Sequence, residues 1–265
     1  MNAAGGDAVL YAVADRVATI TIDRPEARNA LDSEVLRLLP RYLLEAEADD
    51  GVDVIILTGT DPAFSAGVDL KEAAAGGQGD ADDAIGAVVE SRQGPFPPHT
   101  KPLIGAVNGV AVTGGLEVAL GCDFLVASDQ ARFADTHARV GVMPGWGLTV
   151  MLPQAIGVRR AREMSTTGNY VDAEQALAWG LVNHVVRHDQ LLPFCRALAA
   201  DIVSTDQPGV RQILGTYHQV VATTVADGWE IEGRRAAAWP GNRWDPEEIA
   251  KRRQAVVDRG RSQQA

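Results

Sequence analysis

The stretch Asn108-Gly109-Val110-Ala111-Val112-Thr113-Gly114-Gly115-Leu116-Glu117 does most to limit the folds open to this chain. It reads as a strand end, then paired glycines, then a new helix through Leu116-Glu117-Val118-Ala119-Leu120. Gly-rich strand-to-helix turns are characteristic of α/β proteins. Glycines there let the backbone turn sharply and let a ligand approach the main chain. The first N–H groups of a helix have no internal partner, so they are available to an anion. Glu117 follows Gly114 by three residues and projects near the same helix start. A bound carbonyl oxygen can therefore meet the Gly114 N–H with a carboxylate one turn away. Such a site can form and protonate an enolate.

A second stretch supplies another donor. Val54-Ile55-Ile56-Leu57-Thr58-Gly59 is a short β-branched apolar run and reads as a buried strand. Phe64-Ser65-Ala66-Gly67-Val68-Asp69-Leu70-Lys71 follows, again a Gly-containing loop that opens a helix. The backbone N–H of Val68 can meet the same oxygen as Gly114, and two preorganised donors from separate loops make an oxyanion hole. Each loop taken alone is equally a tight turn with no ligand.

Together these residues resemble the crotonase superfamily, the enoyl-CoA hydratase/isomerase family. Arg24-Pro25-Glu26-Ala27-Arg28-Asn29-Ala30-Leu31 is similar to its early R-P-x-x-x-N-A-L signature, and Phe64 to Lys71 to its A-G-x-D-[IL] loop. Lys101-Pro102, Ala106-Val107-Asn108-Gly109, Gly114 to Glu117 and Cys122-Asp123 resemble its central motif. Gly141-Val142-Met143-Pro144-Gly145 matches its G-x-x-P-G turn. Ala173, Ala176 and Gly180-Leu181-Val182 match its later A-x-x-A-x-x-x-G-L-V. The C-terminal end fits the pattern poorly.

The resemblance implies an α/β fold: a crotonase-like spiral of repeated strand–strand–helix units over residues 1–190, with a C-terminal helical trimerisation region over 191–265. It implies an acyl-CoA substrate, with coenzyme A as part of that substrate and no separate cofactor, and a homotrimer or dimer of trimers. The thioester oxygen would sit on the N–H groups of Val68 and Gly114, and Glu117 would be the first catalytic glutamate. Ala66 and Leu70 would lie along the adenine and pantetheine path, with Asp69 among the substrate-binding residues. Arg24, Arg28 and Lys71 are phosphate partners on this reading and solvated surface charges on the alternative.

At the second acid/base position the chain departs from the pattern. Typical hydratases carry a second glutamate where this sequence has His137, in Phe133-Ala134-Asp135-Thr136-His137. Histidine can give or take a proton near neutral pH, but it lacks a carboxylate's two acceptor oxygens. His137 is either a catalytic partner or a lining residue. Strand geometry puts Asp135 on the same face as His137 but not in its place.

Three functions remain open: an enoyl-CoA hydratase or lyase, a double-bond isomerase working with one base, and a catalytically weak acyl-CoA binding protein. No G-x-S-x-G elbow, early G-x-G-x-x-G or metal-spaced His/Cys cluster suggests another chemistry.

Composition agrees. The 265 residues are 46% hydrophobic and 22% charged, enough for a sizeable core. The net charge of -11 argues against nucleic-acid binding but not against CoA, which needs only a few local cations. No apolar run has the length of a membrane span and no leader pattern opens the chain. Cys122 and Cys195 are too few for a disulfide framework, so a reduced, cytoplasmic setting is expected.

Locally, strands are expected at Ala8–Ala12, Val17–Asp23, Val54–Gly59, from Leu103, at Asp123–Ala127, Ala131–Ala134 and Leu181–Val186. Asp32 is positioned to cap a helix with Leu36, Leu39 and Leu43 on one face. Asp172 is positioned to cap another that ends at Gly180. The polar stretch from Ala73 to Asp83 reads as a solvent loop or a mobile wall over the acyl pocket. Met143, Trp146 and Phe96 are pocket-lining or core residues.

Overall fold

A computed structural model describes residues 7–75, 95–239 and 246–262. Among these the strands form two sheets. The larger has six strands in the order β1 (Val9–Ala14), β2 (Val17–Ile22), β3 (Val54–Gly59), β5 (Leu103–Val107), β7 (Phe124–Ser128) and β10 (His184–Val186). The first pair is antiparallel and the rest are parallel. The smaller has four, β4 (Ala63–Ser65), β6 (Val110–Val112), β8 (Arg132–Ala134) and β9 (Val171–Asp172). The chain visits the two sheets alternately: β3 then β4, β5 then β6, β7 then β8. This is the repeating spiral implied by the resemblance.

Why β3 and β5 are unbroken apolar runs is plain from their cover. Helix α1 (Ser33–Ala48) and the second sheet bury one face of the large sheet, with Ile20, Ile22, Ile55, Leu57 and Leu103 in that core. Helix α8 (Leu191–Val203) covers the other, setting Leu191, Cys195 and Ala199 against Val54, Ile56, Ile104 and Val126. Parallel strands buried on both faces need apolar residues at every position rather than alternately.

The expected elements form, with shifts at their ends. Asp32 caps α1 by accepting the Val35 N–H at 2.9 Å. The buried side of α1 is Val35, Leu38, Leu39, Leu43 and Ala46, so Leu36 lies at its margin rather than its centre. Asp172 caps α7 (Ala173–Trp179) through Gln175, and Gly180 ends that helix at φ +84°. The last expected strand is only His184–Val186. Of the polar stretch from Ala73 to Asp83, Ala73 and Ala74 end helix α2 (Leu70–Ala74), and its part from residue 76 on lies outside the described residues.

Three further helices follow the second sheet's central strands: α4 (His137–Val140), α5 (Leu148–Ile156) and α6 (Val158–Thr167). Before them comes α3 (Gly114–Leu120), every residue of which is buried. Beyond α8 lie α9 (Gln207–Val220), α10 (Val225–Ala238) and α11 (Pro246–Ser262). The sequence division at 190/191 precedes α8, which packs on the large sheet. By packing, one compact unit runs to Arg211 and the other begins at Gln212. The second unit is helical, and within it Arg235 donates to Thr216 at 2.7 Å and to the Gln212 side chain at 2.9 Å.

Candidate active site

The early Arg24–Leu31 segment builds the floor of the first loop. Asn29 is fully buried and donates to the carbonyls of Thr60 and Ala63 at 2.7 and 2.6 Å, tying down the turn between β3 and β4. Ser65 returns a bond to the Asn29 carbonyl at 2.8 Å. The Leu31 N–H then donates to Gly67 O at 2.8 Å, and Asp69 N–H to Leu31 O at 3.0 Å. Val68 lies between these two bonds, and among the described residues its N–H donates to nothing. Gly67 turns this corner at φ +85°.

In the second loop the turn falls one residue earlier than the glycines suggest. Thr113 itself takes the positive φ, +55° with ψ −119°. This is costly for a β-branched residue. Two bonds hold it there: its N–H donates to Ala134 O at 3.0 Å, and its hydroxyl bonds the Thr136 hydroxyl. The glycines instead permit close approach. A Cβ on Gly115 would lie 2.2 Å from the Ser65 carbonyl oxygen. One on Gly114 would lie 3.0 Å from the Trp146 ring and 3.5 Å from Leu31 and Val68 side-chain carbons. One on Gly67 would come within 3.1 Å of the Gly114 nitrogen. The two loops are thus side by side, with Val68 and Gly114 as neighbours. As the first residue of α3, Gly114 has an N–H free of any intrahelical partner.

Glu117, one turn into α3, is 2% exposed. Its Oε1 accepts the backbone N–H of Trp146 at 2.7 Å and that of Leu148 at 3.3 Å. Its Oε2 faces His137 Nε2 at 3.4 Å. A buried carboxylate is tolerated because these donors replace water.

His137 does not continue β8. The strand ends at Ala134, and Asp135 turns the chain by accepting the His137 N–H on Oδ1 at 3.1 Å. The same oxygen takes His137 Nδ1 at 2.6 Å, and Asp135 also bonds the Ser165 side chain on α6. Asp135 and His137 are 1% and 6% exposed. Burial pushes the imidazole pKa down, but hydrogen bonds and charge from Asp135 and Glu117 outweigh it and raise it to about 9. Burial pushes the Asp135 carboxyl up; His137, Ser165 and the His137 N–H outweigh that and hold it below the usual range. Near neutral pH the site is therefore a carboxylate, an imidazolium and Glu117 in line.

Strand geometry gives the wrong relation between Asp135 and His137. A tight turn at the strand end brings the two side chains together. An Asp two residues before a His at a strand end is a signal for it, because aspartate bonds the backbone two residues on. Nothing in the sequence marks Thr136, Ser165 or the N–H groups of Trp146 and Leu148.

The other named residues are more scattered. Arg24 spends its guanidinium on Asp32 and Asp69, both at 3.1 Å, and on the Ala30 carbonyl at 2.6 Å. Asp69 caps α2 through Lys71 and Glu72. Ala66 and Val68 are half-buried, while Arg28, Leu70 and Lys71 are exposed. Trp146 is buried against Gly114; Phe96 is core, against Gly121; Met143 is exposed.

Comparison with known proteins agrees with this arrangement. Residues 13–238 match the family model described as enoyl-CoA hydratase/isomerase. A probable peroxisomal enoyl-CoA hydratase 1 of Arabidopsis thaliana is 36% identical over 245 residues, covering 92% of this chain and 90% of that one. The crystal structure of an enoyl-CoA hydratase from Mycobacterium tuberculosis H37Rv is 49% identical, with a TM-score of 0.74 over 87% of this chain and 98% of that one. A monofunctional enoyl-CoA isomerase from M. smegmatis is 32% identical, with a TM-score of 0.72 over 84% and 98%. The spiral fold, the ordered motifs and these similarities lead to one conclusion: the chain belongs to the enoyl-CoA hydratase/isomerase family.

Proposed function

We propose that this chain adds water across the double bond of a 2-enoyl-CoA, and removes it in reverse, with Glu117 as the proton-transfer group. The observation that carries this reading is the buried Glu117 carboxylate, held by Trp146, Leu148 and His137 one turn from the free N–H of Gly114. The thioester carbonyl rests on the N–H groups of Val68 and Gly114, which stabilise the enolate as negative charge moves onto oxygen. Hydroxide from water bonds to Cβ; Glu117 takes the proton that water loses and delivers a proton to Cα, so that no net proton is gained or lost. His137 enters as a donor to Glu117 rather than as a second base. Coenzyme A arrives as part of the substrate, and exposed Arg28 and Lys71 are available to its phosphates, whereas Arg24 is engaged within the protein.

A second reading, isomerisation between 3-enoyl and 2-enoyl thioesters, is favoured by the same 3.4 Å contact. His137 is committed to Glu117, leaving one carboxylate to move a proton from one carbon to another. A steady-state assay separates the readings. Hydration removes the conjugated thioester absorbance of a 2-enoyl-CoA, whereas isomerisation creates it from a 3-enoyl-CoA. Ligand-induced stabilisation with neither change would leave the third reading, binding alone.

Self-association as a trimer or dimer of trimers belongs to this proposal. The helical unit from Gln212 exposes Tyr217, Val225 and Trp229, apolar surface suited to a partner copy. A cytoplasmic setting is proposed with it. Among the described residues no helix is long and apolar enough to cross a membrane.

A further inference from the structure

The geometry points to Asp135 as a positioning residue for the reaction, acting on Glu117 through His137. The inference rests on the proposed proton transfer at Glu117 and extends it. One oxygen, Asp135 Oδ1, accepts both the backbone N–H and Nδ1 of His137, at 3.1 and 2.6 Å. That fixes the ring's position and its proton: Nδ1–H belongs to Asp135, so Nε2 must face Glu117. Ser165, from α6, bonds Asp135 in turn. Asp135 is almost wholly buried and far from any surface role.

The consequence for Glu117 follows from charge. With Nε2 protonated, His137 donates toward the Glu117 carboxylate across 3.4 Å and holds that oxygen in place. No proton is lost from the line: the one delivered to carbon comes from Glu117, which is recharged by water at the other step, and the imidazolium keeps its own. Once His137 is neutral, Nδ1–H stays on Asp135 and a bare Nε2 lone pair faces the carboxylate, which holds Glu117 poorly. Among the described residues the charged groups facing the ring are Glu117 from α3 and Asp135 from the end of β8; α6 adds only the Ser165 hydroxyl, directed at Asp135.

Asp135→Asn is the test, read two ways. The first is NMR titration of the His137 ring nitrogens in the folded protein without substrate; the second is the pH profile of kcat. In the wild type His137 should titrate near 9, with its Nδ1 proton in a strong hydrogen bond. In Asp135→Asn the titration should fall by a unit or more, since burial still opposes charge. The basic limb of kcat should move down with it, and kcat at pH 8 should drop about twofold for a one-unit fall and about tenfold for a two-unit fall. A purely structural role would lower stability while leaving both titrations in place. Should Asp135→Asn fail to fold, Ser165→Ala should give a smaller shift in the same direction. A wild-type His137 that titrates at ordinary histidine values overturns the inference, as does a folded Asp135→Asn or Ser165→Ala with His137 unmoved. The NMR readout needs no turnover, so absence of enoyl-CoA activity in the wild type would overturn the proposed function separately.

Discussion

Two histidines in this chain are held at both ring nitrogens, in opposite settings. His137 lies between Asp135 at 2.6 Å and Glu117 at 3.4 Å, and all three are buried. His188 lies between the Ser128 hydroxyl and Asp61, each at 3.0 Å. In residue types the second group imitates a serine hydrolase triad. Its Ser128, however, is fully buried, and its oxygen already accepts the Gln130 N–H at 3.0 Å. Asp61 is mostly solvent-exposed and also bonds Asn108 at 2.9 Å. The His188 group is a clasp joining the ends of β3, β7 and β10. Partners at similar distances thus serve different ends, and burial beside an open backbone donor distinguishes the reacting group from the clasp.

Glu117→Gln should break the symmetry of this comparison most strongly. Glutamine keeps the shape and can still accept the Trp146 N–H, but it cannot carry the proton. Turnover should fall by on the order of a hundredfold or more while the circular dichroism spectrum is retained. Unchanged turnover would place the chemistry elsewhere.

The packing of the helix that carries Glu117 should matter next. Gly115→Ala puts a carbon against the Ser65 carbonyl, and neither backbone can yield cheaply. A loss of about 1–3 kcal/mol in denaturant unfolding is expected. No loss would mean that α3 is not pinned against β4.

His137 also gives stability a pH dependence of definite sign. Its folded pKa, about 9, lies above the unfolded value near ~6.5. The folded state therefore binds the extra proton, and the stabilisation is complete below the unfolded value. It is lost as pH rises through about 9. Melting temperatures measured across that range should fall in the wild type and flatten in His137→Gln. Identical curves would show that the imidazolium does not contribute.

The smallest effect belongs to the clasp. His188→Gln removes bonds at a half-exposed site, so stability should drop by about 1 kcal/mol or less with kcat within about twofold. A large loss of turnover would erase the distinction between the two histidines.

Much of this was legible in the residues, for physical reasons. Apolar runs such as Val54–Gly59 declare buried parallel strands, and Asp32 and Asp172 declare helix starts, because these signals are local. The pairing of the Val68 and Gly114 loops was legible only through ordered motifs. The joining of Asp135, His137 and Glu117 was not, because it depends on where β8 stops and how the chain turns there. Likewise, Arg24 read as a phosphate partner or a solvated surface charge, yet the carboxylates of Asp32 and Asp69 that engage it arrive through tertiary packing. Thr113 shows the same limit: its strained backbone is set by Ala134, at the end of β8, and Thr136, in the turn after it, not by its own preference.

The central claim is that Glu117 moves a proton at the α-carbon of a thioester held as an enolate. Hydrogen–deuterium exchange at that carbon tests it most directly, using a saturated acyl-CoA in D2O with mass spectrometry of the recovered thioester. The account predicts deuterium at Cα with the wild type and only background with Glu117→Gln. Equal exchange in both, or none with a wild type shown to bind the thioester, would contradict it.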